Sequence, residues 1–205
     1  MIRPLALASI AALSLAACGA PDPVEPKDAA PAPGSPAEPA ATTPEAPVSA
    51  ADKLTAQGFG PLRIGMTKAE VETALGADSN PNAVGGADPE SCDMFHPSRA
   101  PEGLLVMLEG GRLTSVWLRK NTAIETDRAL NIGDPAAEVK RVYGSAATVT
   151  PHKYQDAPAE YVTAWSSSDH TSPAARGVKY EIGGDGKVSG IAGGGPSIEY
   201  VEGCA

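Results

Sequence analysis

Two kinds of hydrophobic pattern alternate between residues 54 and 205. The first has helical spacing. Val71, Ala74 and Leu75 fall at i, i+3 and i+4 and form one apolar stripe, and Val139, Val142 and Tyr143 repeat it. Thr67 is placed to cap the first stripe, with Glu70 three residues on as its capping-box partner, and Gly76 suits the left-handed stop. For the second stripe Asp134 is the expected cap, Pro135 the first helical residue and Gly144 the stop. Both helices span only two to three turns, so each must pack on something else to persist.

The second pattern alternates or runs apolar over strand lengths. Residues 103–109 and 112–119 flank Gly110-Gly111, a two-residue hairpin signal. Residues 160–166, 177–182 and 187–191 follow the second helix, with a Gly-rich turn at 183–186 closing the last pair. Val178, Tyr180 and Ile182 alternate with Lys179 and Glu181, which predicts one buried face and one wet face. Residues 198–201 read as a final strand, and 78–102 and 166–175 as loops. The predicted fold class is α+β, with two tandem helix-plus-antiparallel-sheet units in one domain over 54–205. The first unit covers about 54–121 and the second about 122–205.

The tandem reading rests on internal similarity. Residues 62–76 align without a gap on 130–144, an offset of 68. Leu62, Ile64, Gly65, Ala69, Glu70, Val71 and Gly76 recur as Leu130, Ile132, Gly133, Ala137, Glu138, Val139 and Gly144. This motif, followed by a hairpin, resembles the SmpA/OmlA/BamE-like envelope lipoproteins. It is similar also to secreted β-lactamase-inhibitor proteins, which carry two helix-plus-hairpin copies. The resemblance implies a fold and a life in the cell envelope. The matching residues are caps and core positions, and none does chemistry, so no binding residue carries over to a numbered position.

The chain before residue 54 has a different character. Met1-Ile2-Arg3 is a short basic start, and 5–17 is an apolar run. That run is shorter than the about 20 residues a membrane-spanning helix needs, and it has the length of a signal-peptide core. Leu15-Ala16-Ala17-Cys18-Gly19 resembles a bacterial lipobox. The resemblance implies removal of 1–17 and a lipid-modified Cys18, with palmitate-type acyl chains that anchor stably. Gly19, where an aspartate would imply inner-membrane retention, implies an outer-membrane anchor facing the periplasm. Residues 18–53 are then a tether. Pro21, Pro23, Pro26, Pro31, Pro33, Pro36, Pro39, Pro44 and Pro47 punctuate it, without an aromatic residue to bury.

Charge narrows the function classes. The 205-residue chain carries a net charge of −9, which excludes a nucleic-acid surface at the level of the whole protein. No nucleophile motif, P-loop or calcium loop is present. Ser168, Asp169 and His170 are sequence neighbours in a polar loop, not a triad assembled in space. His96, His152 and His170 read as solvated loop residues, and no cofactor is expected beyond the lipid. With Cys18 lipidated, Cys92 and Cys204 are expected to pair in an oxidising compartment. The alternatives are two free thiols, or a metal site at Cys92, Asp93 and His96, a single weak pairing that no second cluster supports.

Trp117, Tyr161 and Trp165 are the candidate protein-contact residues. They sit at positions where a concave sheet would display them, although core filling is the competing role. The expected function is non-catalytic: a membrane-anchored envelope protein that contacts an unknown envelope protein, as an assembly accessory or an inhibitor-like binder. The alternative is a small-ligand binder or enzyme with a site in the 145–175 loops.

Overall fold

The structure is a computed structural model, and it describes residues 52–83 and 85–204. The expected signal peptide, Cys18 and nearly all of the expected tether lie outside the described residues. Strands β1 (Leu54–Thr55) and β2 (Gly58–Phe59) form a small hairpin ahead of helix α1 (Lys68–Leu75). Strands β3 (Cys92–Phe95), β4 (Leu104–Glu109) and β5 (Arg112–Arg119) follow as an antiparallel meander. Helix α2 (Ala136–Tyr143) leads into a second meander of β6 (Ala147–Pro151), β7 (Glu160–Trp165), β8 (Gly177–Ile182) and β9 (Val188–Gly194). The meanders join where β5 pairs antiparallel with β9, giving one seven-stranded sheet of order β3-β4-β5-β9-β8-β7-β6. The fold is α+β.

Local chemistry accounts for the elements. The Thr67 hydroxyl accepts from the Glu70 N–H at 3.3 Å, and the Glu70 carboxylate accepts from the Thr67 N–H at 2.8 Å. This closes the capping box and holds the Glu70 carboxyl below its ordinary range. The second helix departs from expectation. Pro135 is its cap and Asp134 is not, because the helix starts one residue later at Ala136. The Asp134 carboxylate instead accepts from the Asn131 N–H at 2.7 Å. Gly110 and Gly111 both have positive φ, 54° and 72°, as a type I′ hairpin turn requires.

Each helix is clipped to a hairpin in the same way. Gly65 N–H donates to Leu113 O at 2.7 Å and Leu113 N–H to Met66 O at 2.7 Å. Likewise Gly133 N–H donates to Val188 O at 2.8 Å and Val188 N–H to Asp134 O at 2.8 Å. The first helical N–H groups, of Lys68 and Ala136, reach the turn carbonyls of Gly111 and Gly186, so two otherwise orphaned donors are satisfied. Val71, Ala74, Leu75, Ala136 and Val139 bury against the face of the sheet that carries Val106, Val116, Val162, Tyr180 and Ile191.

Residues 195–204 cross the opposite face as a strap. The segment expected as a last strand is instead a 3-10 turn at Pro196–Glu199. β9 already has β5 on one side and β8 on the other, so the chain leaving it has no free edge to join there. The loop expected over 78–102 contains β3, whose residues alternate in burial and pair with β4.

Candidate functional site

The strap buries Trp117, and the His152 ring and the Lys179 ammonium cover Tyr161. Trp117 is 4% exposed and Tyr161 6%, while Trp165 is half-buried. Trp117 Nε1 donates to Ser115 Oγ at 2.8 Å, and the Ser197 hydroxyl of the strap donates to the same oxygen at 3.2 Å. Trp117 and Tyr161 therefore do not form an open docking surface here. Lys179 is a second departure: it lies on the expected wet face, yet only 5% of its side chain is exposed. Its ammonium donates to Glu199 O at 3.1 Å and sits 4.3 Å from the Tyr161 ring. Nothing within strand β8 signals this, because the covering residues lie about 20 positions downstream.

A polar row continues from Lys179 across the sheet. Arg119 on β5 reaches past Gly190 to the Glu181 carboxylate at 2.5 Å. Gly190 has no side chain to obstruct that reach; a Cβ there would meet the Arg119 guanidinium at 2.5 Å. His152 Nε2 lies 3.4 Å from the same carboxylate, while Tyr154 N–H donates to His152 Nδ1 at 3.1 Å. The expected solvated His152 is thus buried, 4% exposed in its side chain and stacked on Tyr161 with centroids 4.7 Å apart. Burial pushes the Lys179 amine down, the nearby Glu199 and Glu181 carboxylates only partly opposing it. Burial would by itself raise the Glu181 carboxyl, but the charge and hydrogen bond of Arg119, aided by His152, outweigh it and hold it low. The cavity beside this row is about 10 Å³, room for about one water molecule. The row is internal structure.

The other singled-out residues scatter. His170 stacks on Trp165 at 5.4 Å, whereas His152 stacks on Tyr161, four residues earlier on β7 and so about 13 Å away along the strand. The two histidines share no pocket. Asp169 accepts from the Thr171 hydroxyl at 2.9 Å. His96 Nδ1 lies 2.7 Å from Leu104 O. Among the described residues no group of three or more His, Cys, Asp or Glu could hold a metal ion. Cys92 and Cys204 are joined as a disulfide, with Cα atoms 5.5 Å apart, and tie the strap to β3.

The open feature is the β6 edge of the sheet. Thr148, Val149, Thr150 and Pro151 are all exposed, Val149 to 45%. His152 N–H donates to Ala159 O at 3.4 Å, and the pairs Thr150–Tyr161 and Thr148–Thr163 continue that register. Antiparallel alternation then turns the main-chain groups of Thr148 and Thr150 towards β7, and those of Ala147, Val149 and Pro151 outwards. The Ala147 N–H is taken by Gly144 O, and Pro151 has none. Among the described residues, the edge thus leaves three carbonyls and one N–H, that of Val149, without a partner strand.

Recesses flank this edge on both faces. On the helix face an open recess of about 630 Å³ is lined by Val149, Pro151, Ala136, Lys140 and Pro158. On the strap face one of about 450 Å³ is lined by Thr148, Trp165, Ser166 and His170. The opposite edge, β3, is guarded: the main chain at Gly85 and Gly86 runs against Cys92–Phe95 so closely that a Cβ at Gly86 would lie 2.4 Å from Cys92 O. Sequence reading passed over β6. Its signal is the β-branched run Thr148-Val149-Thr150 between Gly144 and Pro151, which is short enough to pass for loop.

No family model matches the chain, and no curated protein matches it. A solved structure to which it is similar is that of a DUF4309 family protein, YjgB, from Bacillus subtilis subsp. subtilis str. 168. The likeness is 17% identity over 68% of this chain and 84% of that chain, with a TM-score of 0.41.

Proposed function

We propose that this chain is a lipid-anchored protein of the bacterial cell envelope, related to the SmpA/OmlA/BamE-like lipoproteins, that acts by protein contact and not by catalysis. Cys18, in its lipobox-like setting, carries the anchor; residues 18–53 are the tether; the domain faces the periplasm from the outer membrane. Its partner is an envelope protein, approached as an assembly accessory or an inhibitor-like binder.

The domain consists of two tandem copies of a helix-plus-meander unit. Supporting this are the sequence repeat, the matched helix-to-hairpin clips, and two β-bulges. One bulge lies between Met107 and Leu108, the other between Glu181 and Ile182. The observation that carries the binding role is the β6 edge, where an exposed valine, unpaired main-chain groups and two recesses come together.

The test is photo-crosslinking in cells that make the full chain, with the photoreactive side chain placed at Val149 or, separately, at Tyr200. One dominant envelope protein captured at either position, and lost in Cys18→Ala, is the expected result. Capture of no specific protein from either position overturns the binding role. Mature protein whose intact mass shows no acyl chains on Cys18 overturns the anchor.

A further inference from the structure

The hydrogen-bonding inventory of the β6 edge specifies what kind of strand can occupy it. We infer that an extended peptide segment of a partner protein docks there as an eighth, antiparallel strand. This inference rests on the reading of the chain as a binding protein. The edge offers the carbonyls of Ala147, Val149 and Pro151 and the single N–H of Val149. It is rich in acceptors and poor in donors.

A second copy of this chain is a poor match to that inventory. Symmetric antiparallel pairing centred on Val149 makes two bonds, valine to valine. It then sets Pro151, with no N–H, opposite Ala147, whose N–H is already held by Gly144 O. The carbonyls of Ala147 and Pro151 stay unmatched in both copies. A foreign strand with free N–H groups at three alternate positions supplies all three missing donors and accepts the Val149 N–H, four bonds in all.

The register also fixes where proline is allowed. The three donor residues lie on the same face as Val149, over a recess of mixed polarity lined by Pro151, Ala136 and Pro158 together with Lys140, Asp156 and Glu160. As donors they are never proline. The two residues between them point towards the recess lined by Thr148, Trp165, Ser166 and His170, and because their N–H groups face away from β6 they tolerate proline. No charged residue lies in β6 itself, so the edge lacks the lysine that usually discourages strand addition.

The test takes the full mature chain in detergent and selects binders from a library of random short peptides. The expected binders exclude proline at three alternate positions. Their binding slows amide exchange at Val149 about fivefold or more, the effect of one added hydrogen bond of ordinary strength. N-methylation at any of the three donor positions weakens binding by about the same factor, and at the intervening positions it does not. Val149→Pro removes the one outward donor and weakens binding, while Val149→Thr preserves it. Because Val149→Pro alters the chain itself, the N-methyl series provides a test that does not depend on that variant folding.

Peptides that bind without protecting Val149, or that accept N-methyl groups throughout, overturn the proposal. So does self-association in sedimentation that protects the Val149 amide, which would assign the edge to a second copy. A partner crosslinked in cells from Tyr200 and not from Val149 overturns strand addition while leaving the binding role intact.

Discussion

Thr114 and Ser189 close two β-bulges with the same bond. The Thr114 hydroxyl donates to Met107 O at 3.3 Å and the Ser189 hydroxyl to Glu181 O at 3.2 Å. Each is the extra residue of its bulge, and each lies three residues before the paired Trp117 and Ala192 at the β5–β9 junction. A bulge leaves a carbonyl short of its ladder partner, and a hydroxyl one residue along can reach it. Thr114→Val keeps the shape and removes the bond, at an expected cost of about 1 kcal/mol. Ser189→Ala, at an exposed position, costs less. Urea midpoints measure both; a Thr114→Val midpoint equal to the parent's would show the bond to be idle.

Trp117 anchors the packing under the strap, together with Met107, Ala192 and Ile198. Trp117→Ala opens a cavity and is expected to destabilise by about 3–5 kcal/mol. Trp117→Phe retains most of the volume but strips Ser115 Oγ of its indole donor, and costs less. Thermal melts separate the two. If Trp117→Ala unfolds at the parent temperature, the indole is not a core residue.

The Cys92–Cys204 bridge spans 112 residues of sequence. In the chain-entropy account a loop that long stabilises by about 4–5 kcal/mol against the reduced unfolded chain. Cys204→Ser should lose much of this and also loosen the strap. Trp117 fluorescence should then shift to the red, and limited proteolysis should cut first within 195–205. Free thiols at both Cys92 and Cys204 in protein isolated without reductant would contradict the bridge.

One half-buried and one buried charge, Glu181 and Lys179, predict opposite ends of a pH profile. The Glu181 carboxyl is held below its ordinary value of 4.5, so the folded state gives up that proton more readily than the unfolded. Its stabilising contribution is full above that ordinary value and is lost as pH falls through the lowered one. Glu181→Gln should flatten the acid side of the profile. The Lys179 amine is pushed below its ordinary 10.5, so the unfolded state holds that proton more tightly. Between the lowered value and 10.5, stability should rise with pH on its account. Lys179→Met should remove that rise while leaving stability at neutral pH similar or higher. Parent-minus-variant denaturation curves from acid to alkaline pH read both slopes; a Lys179→Met difference that does not change with alkaline pH would count against the burial argument.

Much of the secondary structure was legible because its causes are local. A capping threonine with its glutamate, a Gly-Gly turn, and alternation along β8 all act within a few residues of one another. The second helix was misjudged by one position at its start, because Asp134 has two uses within reach and the Asn131 N–H took its carboxylate. Strands β3 and β6 escaped notice because each is short and neither carries a strong pattern apart from its partner.

What sequence alone determined is the set of pieces: two short helices, the first with its cap, the long hairpins, an address-like N-terminus and two cysteines left over to pair. Only the tertiary structure decided how β5 meets β9, which strand is left on an open edge, and what lies beneath the strap. Those outcomes depend on contacts between residues far apart in the chain, such as Arg119 with Glu181 and Ser115 with Ser197. A side chain's exposure is set by whatever crosses its face. For Trp117 and Lys179 that is a segment at the other end of the domain, and no local pattern encodes it.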